Sequence, residues 1–380
     1  MRKSLLLIAA AATLFGSCRK EDTHMKVPYG SLTTTTNYFT TFKGADGNTT
    51  ADLADMGKRV NMLKELDEYM ISFGAVPLSG AKMKDMFNNT NNPFKDTSLK
   101  NATGISMASV TAMSFAAADG EAERAIISAW FDSVAAISVH GQTLASQGVP
   151  GALDYAYLVN GKAFEYGQFA EVGLTGALLL DHMNVMLSPE KMAADNTTVV
   201  AGKNYTQLEH NWDEAYGCLT TNEYFPKKDN KGSWQENYLG DLVRQVNGLF
   251  GEPTDVYMAF LKGRAAIVNK DIATRDQQIE IIHNKIERAL ATVAVSFLNR
   301  AMAASNEASR YHALSQGAGM IYALRYAYSP KLSKARSEEL MGMLMNKANG
   351  FWSLTTTDIT NVRDQIATTY NVDRDAVVYN

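Results

Sequence analysis

Residues 163–187 read AFEYGQFAEVGLTGALLLDHMNVML. Val172, Leu174, Ala177, Leu178, Leu179 and Leu180 cover most directions around a 3.6-residue turn, with no period-two alternation over the run. A helix that is apolar on most sides belongs in the middle of a bundle, so the stretch predicts an all-α protein built around it.

The rest of the chain agrees. Of 380 residues, 46% are hydrophobic, 20% are charged and only 8 are proline, which suits a helical chain with a large core and excludes a disordered or fibrous one. Leu53, Met56, Val60, Leu63, Leu66 and Met70 recur at helical steps, and so do Ile126, Trp130, Val134 and Ile137 in a segment that begins near Asp119 and ends at Gly148 to Pro150. Asn88 to Pro93 is a break between helices. Three capping boxes are expected, Thr206 with Glu209, Ser233 with Glu236 and Thr274 with Gln277, with Gly251 and Pro253 ending the Ser233 helix and Gly350 ending one from Ser333. The expected architecture is a set of antiparallel helical bundles.

The N-terminus carries an address. Arg2 and Lys3 precede a short apolar run, Leu5 to Ala12, and Gly16-Ser17-Cys18 resembles the bacterial lipobox, with Phe15 where Leu is usual. The expectation is a signal peptide over 1–17, an acylated Cys18, a tether and irregular segment over 18–45, and a helical domain over 46–380. Arg19-Lys20-Glu21-Asp22 looks like an export signal to the outer face of the outer membrane, so the expected location is an outer-membrane lipoprotein exposed at the cell surface, with a periplasm-facing one as the alternative. No later stretch is long and apolar enough to span a bilayer. Cys218 is the other cysteine, and acylation of Cys18 would rule out an intramolecular disulfide. The net charge of -4 becomes -6 once Arg2 and Lys3 are removed, so nucleic acid is not an expected partner.

Two segments share a spacing. His210-Asn211-Trp212-Asp213-Glu214-Ala215-Tyr216-Gly217 and His312-Ala313-Leu314-Ser315-Gln316-Gly317-Ala318-Gly319 both place a polar residue, then Glu or Gln, then Gly at fixed offsets after His. Each follows a long apolar helix, so two related halves, 46–230 and 231–380, are expected. On a helix, His210, Asp213, Glu214 and Gly217 share one face and Leu208, Trp212, Ala215 and Leu219 the other. Imidazole and carboxylate at that spacing can bind a transition metal, fix a tautomer or form an ion pair, while a polar stripe opposite an apolar one is also the mark of a surface helix. The candidate metal ligands are His210, Asp213, Glu214 and His312, with Ser315 and Gln316 as further binding residues.

Other residues favour structural roles. His182 reads as a partly buried, satisfied histidine, and Glu165 with Gln168 as hydrogen-bonding partners of a neighbouring helix. Gly263-Arg264 reads as close helix packing with an arginine free to meet a buried carboxylate. The 18 methionines suit core filling. No hydrolase or zinc-protease motif is present, and Cys218 has no base beside it in sequence.

The string Glu209 to Gly217, supported by Gly161 to Leu180 and Phe260 to Ala266, resembles a domain family of unknown function in Bacteroidetes-type lipoproteins, from about residue 28 to the C-terminus. That family is similar in kind to the imelysin-like proteins, although their Gly-x-His-x-x-Glu motif is not reproduced, since Leu208 stands two before His210. The resemblance implies an all-α fold in an iron- or haem-uptake setting. The expected function is a surface-anchored protein that binds a metal ion or metal complex and passes it to an outer-membrane transporter. A divalent metal ion is the candidate cofactor. The alternatives are a metallopeptidase with Glu214 as general base and a non-catalytic nutrient-capture or adhesion scaffold.

Overall fold

A computed structural model describes residues 25–378 apart from 75, 101, 247–251 and 330. The expected signal peptide, Cys18 and the Arg19 to Asp22 signal lie outside the described residues, as does Gly251. The chain is predominantly α-helical, as the sequence predicts. Its longer helices are α1 (Ala54–Met70), α2 (Gly80–Asn88), α3 (Ala117–Ser138), α4 (residues 166–186), α5 (Gln207–Leu219), α6 (Tyr238–Gln245), α7 (Glu252–Val268), α8 (Ile272–Ala303), α9 (Glu307–Ala323), α10 (Lys334–Met345) and α11 (Thr356–Tyr370). A two-stranded antiparallel hairpin, β1 (Gly151–Leu153) and β2 (Tyr157–Val159), joins α3 to α4 and is absent from the sequence expectation. Among the described residues no helix is long and apolar enough to cross a membrane.

The apolar stretch 163–187 is central. Helix α4 packs against α1, α3, α5 and α9, and α8 packs against α7, α9 and α11. Helices from either side of residue 230 therefore lie directly on one another, α9 on α4 and α7 on α5. Helix α4 is α-helical over Tyr166–Leu174 and Asp181–Met186, with a π-helical segment, Thr175–Leu180, between them. Gly176 explains part of this: a side chain there would put Cβ 2.4 Å from Ala323 Cα, so α4 and α9 touch backbone to backbone. The Ala177 carbonyl accepts instead from Ala112 N–H at 2.8 Å, which keeps a wider turn from stranding a polar group.

Helix starts show where local pattern misleads. The Thr206–Glu209 capping box forms. The other two do not. Helix α6 starts at Tyr238 behind Asn237, and the Glu236 carboxylate turns back to accept from Thr220 and Asn222. Helix α8 is capped by Asp271, which accepts from Thr274 N–H, so Thr274 lies inside the first turn. Pro253 lies in the first turn of α7 instead of ending a helix, where its missing N–H costs nothing. A box that the sequence reading did not include, Thr355 with Asp358, opens α11. The chain from residue 25 to the start of α1 holds short helical turns, Tyr29–Ser31 and Tyr38–Thr41, and is packed onto the body: Tyr38 and Phe42 are buried, and Val27 N–H donates to Asn269.

Candidate functional site

The Trp-Asp-Glu string lies on α5, and α5 is buried nearly all round, from Asn211 through Leu219. The surface-helix alternative therefore fails. Trp212 is fully buried, donates to the Phe260 carbonyl at 3.1 Å, and occupies the space above Gly263, where an added Cβ would lie 2.1 Å from its ring. Asp213, also fully buried, accepts from Arg264 Nε at 2.9 Å and from the Tyr38 hydroxyl at 2.7 Å. Arg264 reaches Glu209 at 2.8 Å and Thr50 at 2.9 Å with its other nitrogens. Burial opposes its charge, but the Asp213 and Glu209 carboxylates outweigh that and hold the guanidinium above its ordinary value. The Gly263-Arg264 reading is met, and Asp213 is committed to a structural ion-pair network.

Glu214 faces elsewhere, with Oε2 3.4 Å from His182 Nε2 and 3.7 Å from Arg59. His182 Nδ1 and Glu214 Oε1 are buried without partners, so His182 is less fully satisfied than the sequence suggests. Cys218 is a free, buried thiol, pushed well up by burial and by Glu214, which leaves it without thiolate character. His210 is partly buried and lies flat against Tyr205, ring centres 4.8 Å apart. The first motif thus sends its three polar side chains to three separate sets of partners.

The second motif leads to a cleft. His312 is also partly buried and stacked on a tyrosine, Tyr157, at 4.1 Å, and its Nδ1 is 2.7 Å from Glu165 Oε2. Ser315 Oγ accepts from the Glu165 N–H at 3.2 Å, and Gln316 Oε1 is buried without a partner. Glu165 opens into a narrow cleft of about 40 Å³, bounded by the end of α1, by α3, by the hairpin and by the start of α4. Met70, Ile71, Phe73, Val134, Ile137 and Leu158 make its walls apolar. Asp67, Glu165, Tyr166, Gln168 and Glu171 supply the polar groups.

Three carboxyls in an apolar cleft change its electrostatics. Burial, and then the neighbouring Glu171, push Asp67 well above the usual carboxylate range. Burial raises Glu171, and Glu165 adds to it, while Gln168 donates to Glu171 at 2.8 Å. Burial raises Glu165 in spite of His312. The Tyr238 hydroxyl donates to Asp67 Oδ2, whereas Asp67 Oδ1 is closed off from solvent and has no partner. The charges that bear on these groups are one another, Glu68 and His312.

Among the proposed ligands, then, the structure places His312 and Ser315 against Glu165, a residue of the cleft wall, leaves Gln316 beside them on α9, and places His210, Asp213 and Glu214 elsewhere. Asp67, Glu171 and Tyr238 were missed. A signal for Asp67 existed: it falls at i+4 from Leu63 and i−3 from Met70, an acid inside the apolar stripe of α1. Glu171 is likewise an acid inside the most apolar stretch of the chain. Among the described residues no group of three or more His, Cys, Asp and Glu is arranged to hold a metal ion.

Residues 38–373 match a family described as a domain of unknown function, DUF4856. The chain matches no curated protein and no solved structure.

Proposed function

This chain belongs to the DUF4856 family of domains of unknown function, and we propose that it is a surface-anchored lipoprotein, acylated at Cys18, that captures an organic cation in the Asp67–Glu165–Glu171 cleft. The observation that carries the reading is Asp67: a carboxyl in an apolar cleft, faced by other acids, with one oxygen sealed from water and unpartnered. An unpaired buried carboxylate is costly, and the cost is removed when an ammonium or guanidinium supplies the missing charge and donors. The apolar walls suit the hydrocarbon body of such a ligand. Delivery to an outer-membrane transporter remains the role in which an anchored capture protein of this kind fits.

A metal ion, the ligand suggested by the His210 string, has less support, because Asp213 is already neutralised by Arg264 and Glu214 is turned to His182. Calorimetric titration of the purified protein tests the choice. n-Butylamine is expected to bind and to lose its binding in Asp67→Asn. Stoichiometric uptake of zinc or calcium with no response to n-butylamine would overturn the organic-cation reading in favour of a metal site.

A further inference from the structure

The cleft has a rim that a small cation does not need. Ile71, Val76, Val139, Leu144, Val149 and Tyr155 are six of the twelve large hydrophobic side chains that stand exposed on the described residues, at 42–69% of their full accessibility. They come from three segments that are tied together at one end of the molecule. Gln142 donates to the Gly74 carbonyl, Ala145 N–H to Ala152 at 3.1 Å, and Gly148 N–H to Gly161 at 2.8 Å. This end adjoins the cleft, since Ile71 lines it, Tyr155 precedes the lining residue Ala156, and the hydrogen bonds above tie the segments that carry Val76, Val139, Leu144 and Val149 to the same end. Exposed apolar side chains gathered around a pocket mark a binding surface for something larger than the pocket.

Resting on the reading of the cleft as a cation site, we infer that its occupant is a lysine or arginine side chain presented by an extended, apolar-flanked segment of another polypeptide. Charge complementarity selects the buried part: Asp67, Glu165 and Glu171 line one cleft, His312 meets only Glu165 of the three, and Asp67 Oδ1 lacks a donor. The walls select the stem, because Met70, Val134, Ile137 and Leu158 offer hydrocarbon along the path that the methylenes of a long basic side chain would follow. The rim selects the flanks. Residues on either side of the basic one would cover Ile71, Leu144 and Tyr155, burying area that a free amine leaves exposed. An anionic lipid surface offers apolar contact as well but brings like charge to the carboxylates.

The test uses the purified full chain and three probes: a labelled six-residue peptide with one central lysine between leucines and valines, the same peptide with norleucine for lysine, and n-butylamine. The lysine peptide is expected to bind at least about ten-fold tighter than either of the others. Tyr155→Asn and Leu144→Gln change exposed positions, and asparagine suits the positive φ of 55° at Tyr155. Both are expected to weaken the peptide several-fold and leave n-butylamine unchanged, whereas Asp67→Asn weakens the lysine peptide and n-butylamine alike. Equal affinity for n-butylamine and the lysine peptide, or indifference of the peptide to both rim variants, would overturn the polypeptide ligand and leave the cation site standing. Lysine-peptide binding that ignores Asp67→Asn, or no binding by either cationic probe, would overturn both.

Discussion

Arg264 and Asp213, 51 positions apart in the chain, meet at 2.9 Å with neither side chain reaching solvent. The contact joins α7 to α5 and, through the Tyr38 hydroxyl and Thr50, fastens the irregular N-terminal segment to both. Its strength lies in completeness: the arginine meets two carboxylates and a hydroxyl, so the charge is compensated inside the protein.

Removing one side of that pair leaves the other charge buried alone. Arg264→Met is expected to cost about 3–5 kcal/mol of unfolding free energy, measured by urea denaturation. Arg264→Met combined with Asp213→Leu is expected to be less damaging than the single change. A single variant with wild-type stability would show that the network does not hold α5 and α7 together.

Trp212 and Gly263 make a second interlock between the same helices. Gly263→Ala would drive Cβ to within 2.1 Å of the indole, so a loss of about 1–3 kcal/mol is expected. Trp212→Ala should cost about 3–5 kcal/mol. His210→Ala, at a partly buried position with no hydrogen bond at Nδ1, should shift the melting temperature little. A large loss in the histidine variant would assign it a structural role equal to that of the tryptophan.

Asp67 gives a prediction with a definite sign. Its carboxyl is raised in the folded protein, so the folded state holds a proton that the unfolded chain, near 3.8, gives up. Stability from this group is present at low pH and is lost as pH rises from the unfolded value toward the folded one. Asp67→Asn is therefore expected to raise the melting temperature at pH 7 while weakening cation binding. A cation must displace that proton, so n-butylamine binding should release protons, seen as a calorimetric heat that varies with the ionisation enthalpy of the buffer.

Glu236 obeys the same rule outside the cleft. Burial raises its carboxyl from 4.5 to about 7, against the hydrogen bonds from Asn222 and Thr220. Its contribution, at most about 3 kcal/mol, is present below pH 4.5 and fades as pH rises to about 7. Glu236→Gln keeps an acceptor for Asn222 and should flatten the stability profile across that window. An unchanged profile would mean that the group is open to water.

The lipoprotein reading has its own check. Cys18→Ala is expected to release the protein from membranes, and protease added to whole cells should digest the wild type. Protection from the protease would place the anchored protein on the periplasmic side.

Much of the helix content was legible because burial imposes a period. Leu63, Leu66 and Met70 announce the inner face of α1, and the near-uniform apolarity of 163–187 announces its central place. Helix starts were less legible. Ser233 and Thr274 have the right residues three positions ahead of a Glu or Gln, but Glu236 is claimed by Thr220 and Asn222, and Asp271 caps α8 first. Those competitors are distant in sequence or one turn earlier, where a four-residue pattern does not look.

Asp67 and Asp213 show where sequence stops. Asp67 lies within the apolar stripe of α1, so the local pattern draws it inward, whereas Asp213 shares a polar face with His210 and Glu214 that the pattern leaves open to solvent. The sequence by itself determined that the chain is helical, which face of α1 is buried, and that an arginine after Gly263 would seek a buried acid. Only the tertiary structure decided which acid. Asp213 meets Arg264 and becomes part of the frame, while Asp67 meets Glu171 and Tyr238 and keeps an oxygen without a partner. The physical reason is that periodicity encodes the side of a helix that leaves water, which is a local free energy, whereas the charge waiting on that side belongs to another helix and is fixed by packing.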